Sequence, residues 1–508
     1  MKQRMWMAAA ACGLLISGAL VGVRAQGPAG PVGIFEGQGD VGTVLHPGSV
    51  EYDSAARTYA VSGSGENMWA TADGFQFVWK KASGDLSLTA DIAFADQSGN
   101  EHKKAVLIFR QNLDADSAYA DVALHRVGLT SIQSREEKGA ATHEVQANVS
   151  GPKRLRLTKR GAYFYMSLGD ASGEPQFSGA SMRVPLQDPY YVGIGVCSHD
   201  KDRVEKAIFS NVELTPAPPA TGRALSLWST LETITVASTD RRVTLAAPER
   251  IEAPNWSRDG KMLLFTAGGR IQKVPETGGA AEMLDTVTAR RANSAHAFSP
   301  DGSQLAFSDE SRGGRSLINL VPIAGGPPRR VSEEGPSYVH GWSADGATLV
   351  FAGRRAGKTT DIYTIPVAGG FENRLTYGSG LNDAPEYTPD GQYIYFHSDR
   401  SGAMQVWRMK PDGKAQEQVT SDDFNNVFPH VSPNGRQIVF LSYPKEMKSI
   451  PEDKEVTLRV MNLANKSITI LAKLTGGRGT IDGASWSPDS RRLAFVSYSQ
   501  MPAPARKK

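Results

Sequence analysis

The sequence predicts an all-β protein, an N-terminal two-sheet sandwich followed by a six-bladed β-propeller whose last blade is shared by both ends of its own segment. Three observations predict it. Beyond residue 26 sustained helical periodicity is almost absent, and short β-branched and aromatic runs are bounded by Gly, Asp, Asn or Pro. A turn-centred unit recurs six times between residues 255 and 490. The stretch from Thr215 to Gly222 has too little apolar content for a core and too much Pro for a central strand, so it divides the chain.

The first 25 residues read as a cleaved signal peptide. Lys2 and Arg4 precede an apolar run from Ala8 to Val23, and Val23-Arg24-Ala25 offers the small residues a signal peptidase recognises. An uncleaved anchor over Met5 to Val23 fits less well, because the run is Gly-rich and ends on a processing site. Lipidation at Cys12 fits poorly, since the apolar run continues past it. No other stretch is apolar for the roughly 20 residues a bilayer demands, so the mature chain is expected to be periplasmic or secreted, without a transmembrane anchor. Loss of Lys2, Arg4 and Arg24 takes the formal charge from +3 to neutral, which removes any bulk electrostatic reason to bind nucleic acid or an acidic membrane. Only Cys197 of the 2 cysteines then remains, so no intramolecular disulfide can form. In the alternating run Tyr191-Val-Gly-Ile-Gly-Val-Cys197 it reads as a small core residue.

Residues 33–214 hold at least nine candidate strands, among them Phe75 to Trp79, Ser87 to Phe94, Ala105 to Phe109, Ala118 to Leu124 and Tyr191 to Val196. That density suggests two packed antiparallel sheets. The runs Gly84-Asp-Leu-Ser-Leu-Thr-Ala-Asp-Ile92 and Lys153-Arg-Leu-Arg-Leu-Thr-Lys-Arg-Gly-Ala-Tyr-Phe-Tyr165 resemble concanavalin A-like jelly-roll domains. The resemblance implies a glycan or another cell-envelope polysaccharide as ligand. The Glu-x-Asp-x-Glu signature of laminarinase-type glycosidases is missing. Asn112-Leu-Asp-Ala-Asp-Ser-Ala-Tyr-Ala-Asp121 has closely spaced oxygen ligands but lacks the Gly and distal Glu of a calcium loop, and reads as a turn before a strand.

After the linker, 215–223, the repeat occupies 224–500, with a basic tail at 501–508. Its six copies are Asn255-Trp-Ser-Arg-Asp-Gly260, Ala297-Phe-Ser-Pro-Asp-Gly302, Gly341-Trp-Ser-Ala-Asp-Gly346, Glu386-Tyr-Thr-Pro-Asp-Gly391, His430-Val-Ser-Pro-Asn-Gly435 and Ser485-Trp-Ser-Pro-Asp-Ser490. The corner hydroxyls are 42, 44, 45, 44 and 55 residues apart, the length of a four-stranded blade. Pro presets φ, Asp or Asn caps the turn and Gly accepts positive φ, so each copy is a hairpin corner. A strand containing Phe265, Phe307, Phe351, Phe396, Phe440 or Phe495 follows each corner. The sixth copy ends after two strands, while Glu232 to Val236 and Arg242 to Leu245 stand unmatched at the start; pairing these halves closes the ring. The long fifth spacing places an insertion near Lys445 to Glu455, read as a solvated loop or a contact surface.

The corners, the Phe-containing second strands, Phe396-His-Ser-Asp-Arg-Ser-Gly402 and the Gly-Gly turns resemble the propeller repeats of the TolB family of bacterial periplasmic proteins. The resemblance implies a propeller that meets protein partners. Similar repeats also occur in oligogalacturonate lyases and prolyl-oligopeptidase-type enzymes. The family's member in the Tol system has a small α/β domain before its propeller, where this chain has a β region.

Candidate ligand-binding residues gather on the innermost strands. His296 and His340 precede the corner hydroxyl by three residues and His430 by two; Asn382, Asp383, Glu386, Asn426 and Asp482 lie on neighbouring copies or at the channel mouth. Convergent imidazoles and carboxylates could hold a ligand or a divalent metal, although polar residues line any wet channel and no His-x-x-x-His or Cys pair supports a metal. His296 and His430 occupy adjacent phases of their strands and should point to opposite faces. Ala352-Gly-Arg-Arg-Ala-Gly-Lys-Thr359 approximates a phosphate loop, but a strand rather than a helix follows it. No Gly-x-Ser-x-Gly is present, so no catalytic residue and no cofactor are assigned. The sequence thus favours a non-catalytic binding or scaffold protein whose partner is an envelope or secreted protein or an envelope polysaccharide. The alternative is a polysaccharide lyase or hydrolase acting in the propeller channel.

Overall fold

The computed structural model of the protein describes residues 31–218, 225–355, 359–378, 380–447 and 449–502. The signal peptide reading and the tail beyond Pro502 fall outside the described residues, and Met501 and Pro502 already belong to the strand Arg492–Pro502.

Two sheets enclose the N-terminal core. A seven-stranded sheet contains Leu86–Phe94, Arg154–Arg160, Tyr163–Gly169 and Glu205–Pro216, and a ten-stranded sheet contains Phe75–Ala82, Lys104–Arg110, Tyr119–His125 and Tyr190–Cys197. Strand alternation sends Leu88, Leu157, Phe164 and Phe209 from the first sheet, and Leu107, Phe109, Val122 and Val192 from the second, into one buried cluster. Each such side chain stabilises by about 1.5–3 kcal/mol relative to exposure. Cys197 is buried on the other face of its sheet. Asp114 and Asp116 of the candidate calcium loop face Lys138, at 2.6 and 3.5 Å.

The first residues of the expected linker are strand, and its residues 219–223 lie outside the described residues. Thr215 pairs with Ser87 and Pro216 with Leu86, and the Ala217 N–H donates to the Asp85 carbonyl at 2.9 Å. Pro216 has no N–H to offer, so it closes the strand instead of continuing it.

Five four-stranded sheets follow in a propeller-like ring, beginning with innermost strands Ile251–Trp256, Ala292–Phe298, Ser337–Trp342, Asn382–Tyr387 and Phe424–Val431. Each corner is held by the same contact. The hydroxyls of Ser257, Ser299, Ser343, Thr388, Ser432 and Ser487 donate to the side chain two residues on at 2.5–2.8 Å, while accepting the backbone N–H five residues on. Gly302 takes φ of 74° there, and in the sixth copy Ser490 adopts 61° in its place, its hydroxyl accepting the Asn434 N–H of the neighbouring copy.

The sixth copy is built differently from the other five. Its corner makes a single bridge, Trp486↔Leu493, because the preceding segment, with Gly477, Gly479 and Gly483, forms no regular inner strand. Strand Arg492–Pro502 pairs antiparallel with Leu225–Thr235 over the whole length of both, and Leu225–Thr235 pairs with Arg241–Ala247. These three strands belong to the ten-stranded sheet: Val145 and Gln146 pair in parallel with Arg241 and Arg242, so the N-terminal layers and the ring share one sheet. The insertion near residue 450 packs back on the molecule. Glu455 lies 3.3 Å from Arg183, and Asp453 lies 2.7 Å from Arg250.

Candidate functional site

Counted back from the corner hydroxyls, the inner segments carry two rings of equivalent positions. Five residues before each corner hydroxyl stand Glu252, Ser294, Tyr338, Asp383, Val427 and Asp482; two residues before stand Asn255, Ala297, Gly341, Glu386, His430 and Ser485. Between the rings the strands are irregular, with register shifts at Glu252/Asn255, Ala292/His296, Val339/Gly341, Asp383/Glu386 and Val427/His430. Ala253, Ala384 and Phe428 take positive φ in these bulges, which re-aim the side chains that follow.

At the corner end, His430 Nδ1 meets Glu386 Oε2 at 2.5 Å and its Nε2 meets the Ile481 carbonyl. His340 Nε2 lies 3.5 Å from Asp383 Oδ1, and the Arg478 guanidinium lies 4.0 Å from the other oxygen. Burial opposes ionisation of Asp383, but the hydrogen bond and charge of His340, with His397 and Arg478, hold it below the usual carboxylate range. Asp482 accepts the Gly479 N–H at 3.0 Å, yet burial keeps its carboxyl above the usual range despite Arg478. Burial, reinforced by the charge of Asp482, pushes Glu252 up to about 7. His397 Nδ1 accepts the Phe428 N–H at 3.2 Å, so Nε2 carries the proton and is left without a partner; burial pushes this histidine down to about 4.

Five of the eight expected residues are brought together in the structure: His430 with Glu386, His340 with Asp383, and Asp482 near Arg478. Three are not. His296 is wholly enclosed, with neither ring nitrogen partnered, and burial holds it at about 4. Asn382 is spent between blades, donating to Asp361 at 3.3 Å and accepting from Arg400 at 2.6 Å. Asn426 donates to Asp422 and accepts from Ser442, at 2.8 and 2.7 Å. The two asparagines hold the strand they begin to its outer neighbours, a role that position at a channel mouth does not reveal. Glu252, Arg258, His397 and Arg478 were missed. Glu252 was accessible by aligning all copies five residues before the hydroxyl; Arg478 sits in the irregular Gly-rich segment and carries no repeat signal.

Among the described residues no three His, Cys, Asp or Glu side chains are arranged to hold a metal ion. His430 meets Glu386 and His340 meets Asp383 as separate pairs. The open feature is a pocket of about 230 Å³ at the corner end, walled by Trp256, Trp342, Tyr387 and Trp486 and including Arg258 and Glu386.

Residues 335–455 match the TolB beta propeller domain model. An uncharacterised protein of Agrobacterium fabrum is 40% identical over 280 residues, which is 55% of this chain and 95% of the relative. A solved structure from Agrobacterium tumefaciens, provisionally assigned as TolB, is 39% identical and superposes with a TM-score of 0.53, covering 55% of this chain and all of that one. TolB of Acinetobacter baumannii is 16% identical over 63% of this chain and 79% of its own, with a TM-score of 0.41. No helix among the described residues is long and apolar enough to cross a membrane.

Proposed function

The C-terminal part of this chain belongs to the TolB β-propeller family, and from that premise we propose a non-catalytic binding or scaffold protein of the periplasm or cell surface. The ring meets an envelope or secreted protein. The N-terminal layers, read as a concanavalin A-like sandwich over 33–214, meet an envelope polysaccharide or glycan. In the same reading, residues 224–500 form six blades, the sixth made from Leu225–Thr235, Arg241–Ala247, Arg492–Pro502 and the corner at Trp486. A signal peptide at 1–25 delivers the chain.

One observation supports binding over catalysis: His430 is engaged with Glu386 and His340 with Asp383, and the accessible space beside them is an aromatic-walled pocket. The test is capture from an envelope extract on immobilised protein. Recovery of a defined partner, reduced by Trp342→Ala, is expected; recovery of nothing by the folded protein would defeat the reading.

The alternative enzyme reading has its own observation. His340 Nδ1 is without a partner while Nε2 faces Asp383, an arrangement suited to proton transfer. Polysaccharide turnover with added divalent metal, abolished by His340→Ala, would favour it.

A further inference from the structure

We propose that the corner-end pocket is a binding site for a carboxylate carried on a flat or apolar body, with Arg258 as the group that recognises the carboxylate. The inference deepens the binding reading of the ring and rests on it.

The walls settle the body of the ligand. Trp256, Trp342, Tyr387 and Trp486 come from four different blades, so four aromatic side chains bound one space of about 230 Å³. Indole and phenol rings favour flat or apolar matter, and the volume suits a small molecule or the last residues of a peptide.

The donors settle its charged end. Arg258 replaces the Pro found in four of the six corners, and so brings a guanidinium to a position where most copies have no polar group. Its side chain lies over Gly302 of the next corner and touches only two carbonyls, those of Ser299 and Phe298, at the long distances of 3.3 and 3.4 Å. It forms no ion pair among the described residues, so most of its donor capacity is unspent. Glu386, the carboxylate across the pocket, is compensated by His430 at 2.5 Å. The indole N–H groups of Trp342 and Trp486 donate to the carbonyls of Ala297 and His430, at 3.0 and 2.9 Å. The equivalent group of Trp256 has no partner; the corresponding carbonyl, Ser485, accepts the Ala494 N–H at 2.7 Å. Arg258 is thus the pocket residue with accessible donor capacity to spare beside the aromatic walls. One guanidinium balances one negative charge, which selects a monocarboxylate over a phosphate dianion.

The carboxylate can belong to a free small acid or to the end of a peptide, and two pairs of probes separate these sources. Purified full-length protein is titrated with indole-3-propionic acid and its primary amide, and with acetyl-Gly-Phe acid and its amide, followed by calorimetry. In at least one pair the acid is expected to bind about tenfold or more tightly than the amide. The pair that shows the preference identifies the source. Arg258→Gln is expected to abolish the preference and Arg258→Lys to retain part of it. Equal binding of acid and amide in both pairs, no binding by any probe, or an acid preference that survives Arg258→Gln overturns the proposal. The acid–amide comparison on the unaltered protein needs no variant to fold. Because it uses small probes on purified protein, its outcome does not depend on whether the extract yields a partner.

Discussion

His430 Nδ1 faces Glu386 Oε2 at 2.5 Å across neighbouring blades. The other ring nitrogen faces the Ile481 carbonyl, which can only accept, so Nε2 is protonated. Through this residue one blade is tied both to the preceding one and to the closing segment.

Removing the imidazole should therefore be costly. His430→Ala leaves a poorly exposed carboxylate without its donor and is expected to lower stability by about 1–3 kcal/mol in urea denaturation at pH 7. Combined with Glu386→Gln, the two changes should be non-additive by about 0.5 kcal/mol or more. Simple additivity would mean the contact contributes nothing beyond packing.

Arg241 and Glu232 form a second internal pair at 2.8 Å, with Ser497 also donating to Glu232 at 2.6 Å and Arg241 reaching the Ser181 carbonyl at 3.3 Å. Arg241→Met keeps the volume but strands a buried carboxylate. A loss of about 3–5 kcal/mol is expected, and Glu232→Leu in the same chain should recover much of it. A loss under about 1 kcal/mol, read from the denaturation midpoint, would contradict the geometry.

A chain ending at residue 489 loses strand Arg492–Pro502 and its eleven paired positions with Leu225–Thr235. The exposed edge of Leu225–Thr235 then invites intermolecular pairing. Size-exclusion chromatography should show aggregates in place of the monodisperse species of the full chain.

Acid sensitivity should come from enclosed histidines. Burial holds His125 at about 3, and His296 and His397 at about 4. The unfolded chain takes up protons near pH 6.5 while the native state resists until about pH 4, so stability falls as pH drops through that window. For His296 the loss reaches up to about 3 kcal/mol. His296→Phe, which also removes two unpartnered nitrogens, should flatten this part of the profile in pH-dependent urea melts.

Asp121 predicts the opposite slope. Both its oxygens are buried without partners, and burial pushes the carboxyl up to about 8. The native state keeps a proton that the unfolded chain releases near pH 4, so this group costs more stability as pH rises from 4 to 8. Asp121→Asn should raise the melting temperature at pH 8 and change it little at pH 4; equal effects at both would refute the assignment.

Much of this architecture was legible beforehand because the repeat carries its own geometry. Hydroxyl, turn cap and Gly recur at fixed offsets, and every corner so marked forms the same contacts. The pairing of Glu232 to Val236 with the last strand followed from counting unmatched halves. Other features left no such trace. Counting alternate residues cannot pass through a bulge, and positive φ at Ala384 and Phe428 is invisible in residue type. Asn382 and Asn426 looked like channel ligands because their partners, Arg400 in the turn after Ile394–Ser398 and Ser442 on Gln437–Pro444, lie on other segments. The strand Ser49–Asp53 escaped notice because it is short and mostly exposed. The parallel contact of Val145 with Arg241 joins segments that no local pattern connects.

That contact governs how the molecule bears load. The ring and its N-terminal companion are joined through one sheet, as a handle is joined to a wheel. A force that drags the companion along the sheet loads the pairing at Val145 and Gln146 together with the ion pairs Arg183–Glu455 and Glu136–Lys473. The pairing sits on the strand next to the ring's own latch, so tension gathered by one half is delivered where the other half is fastened shut.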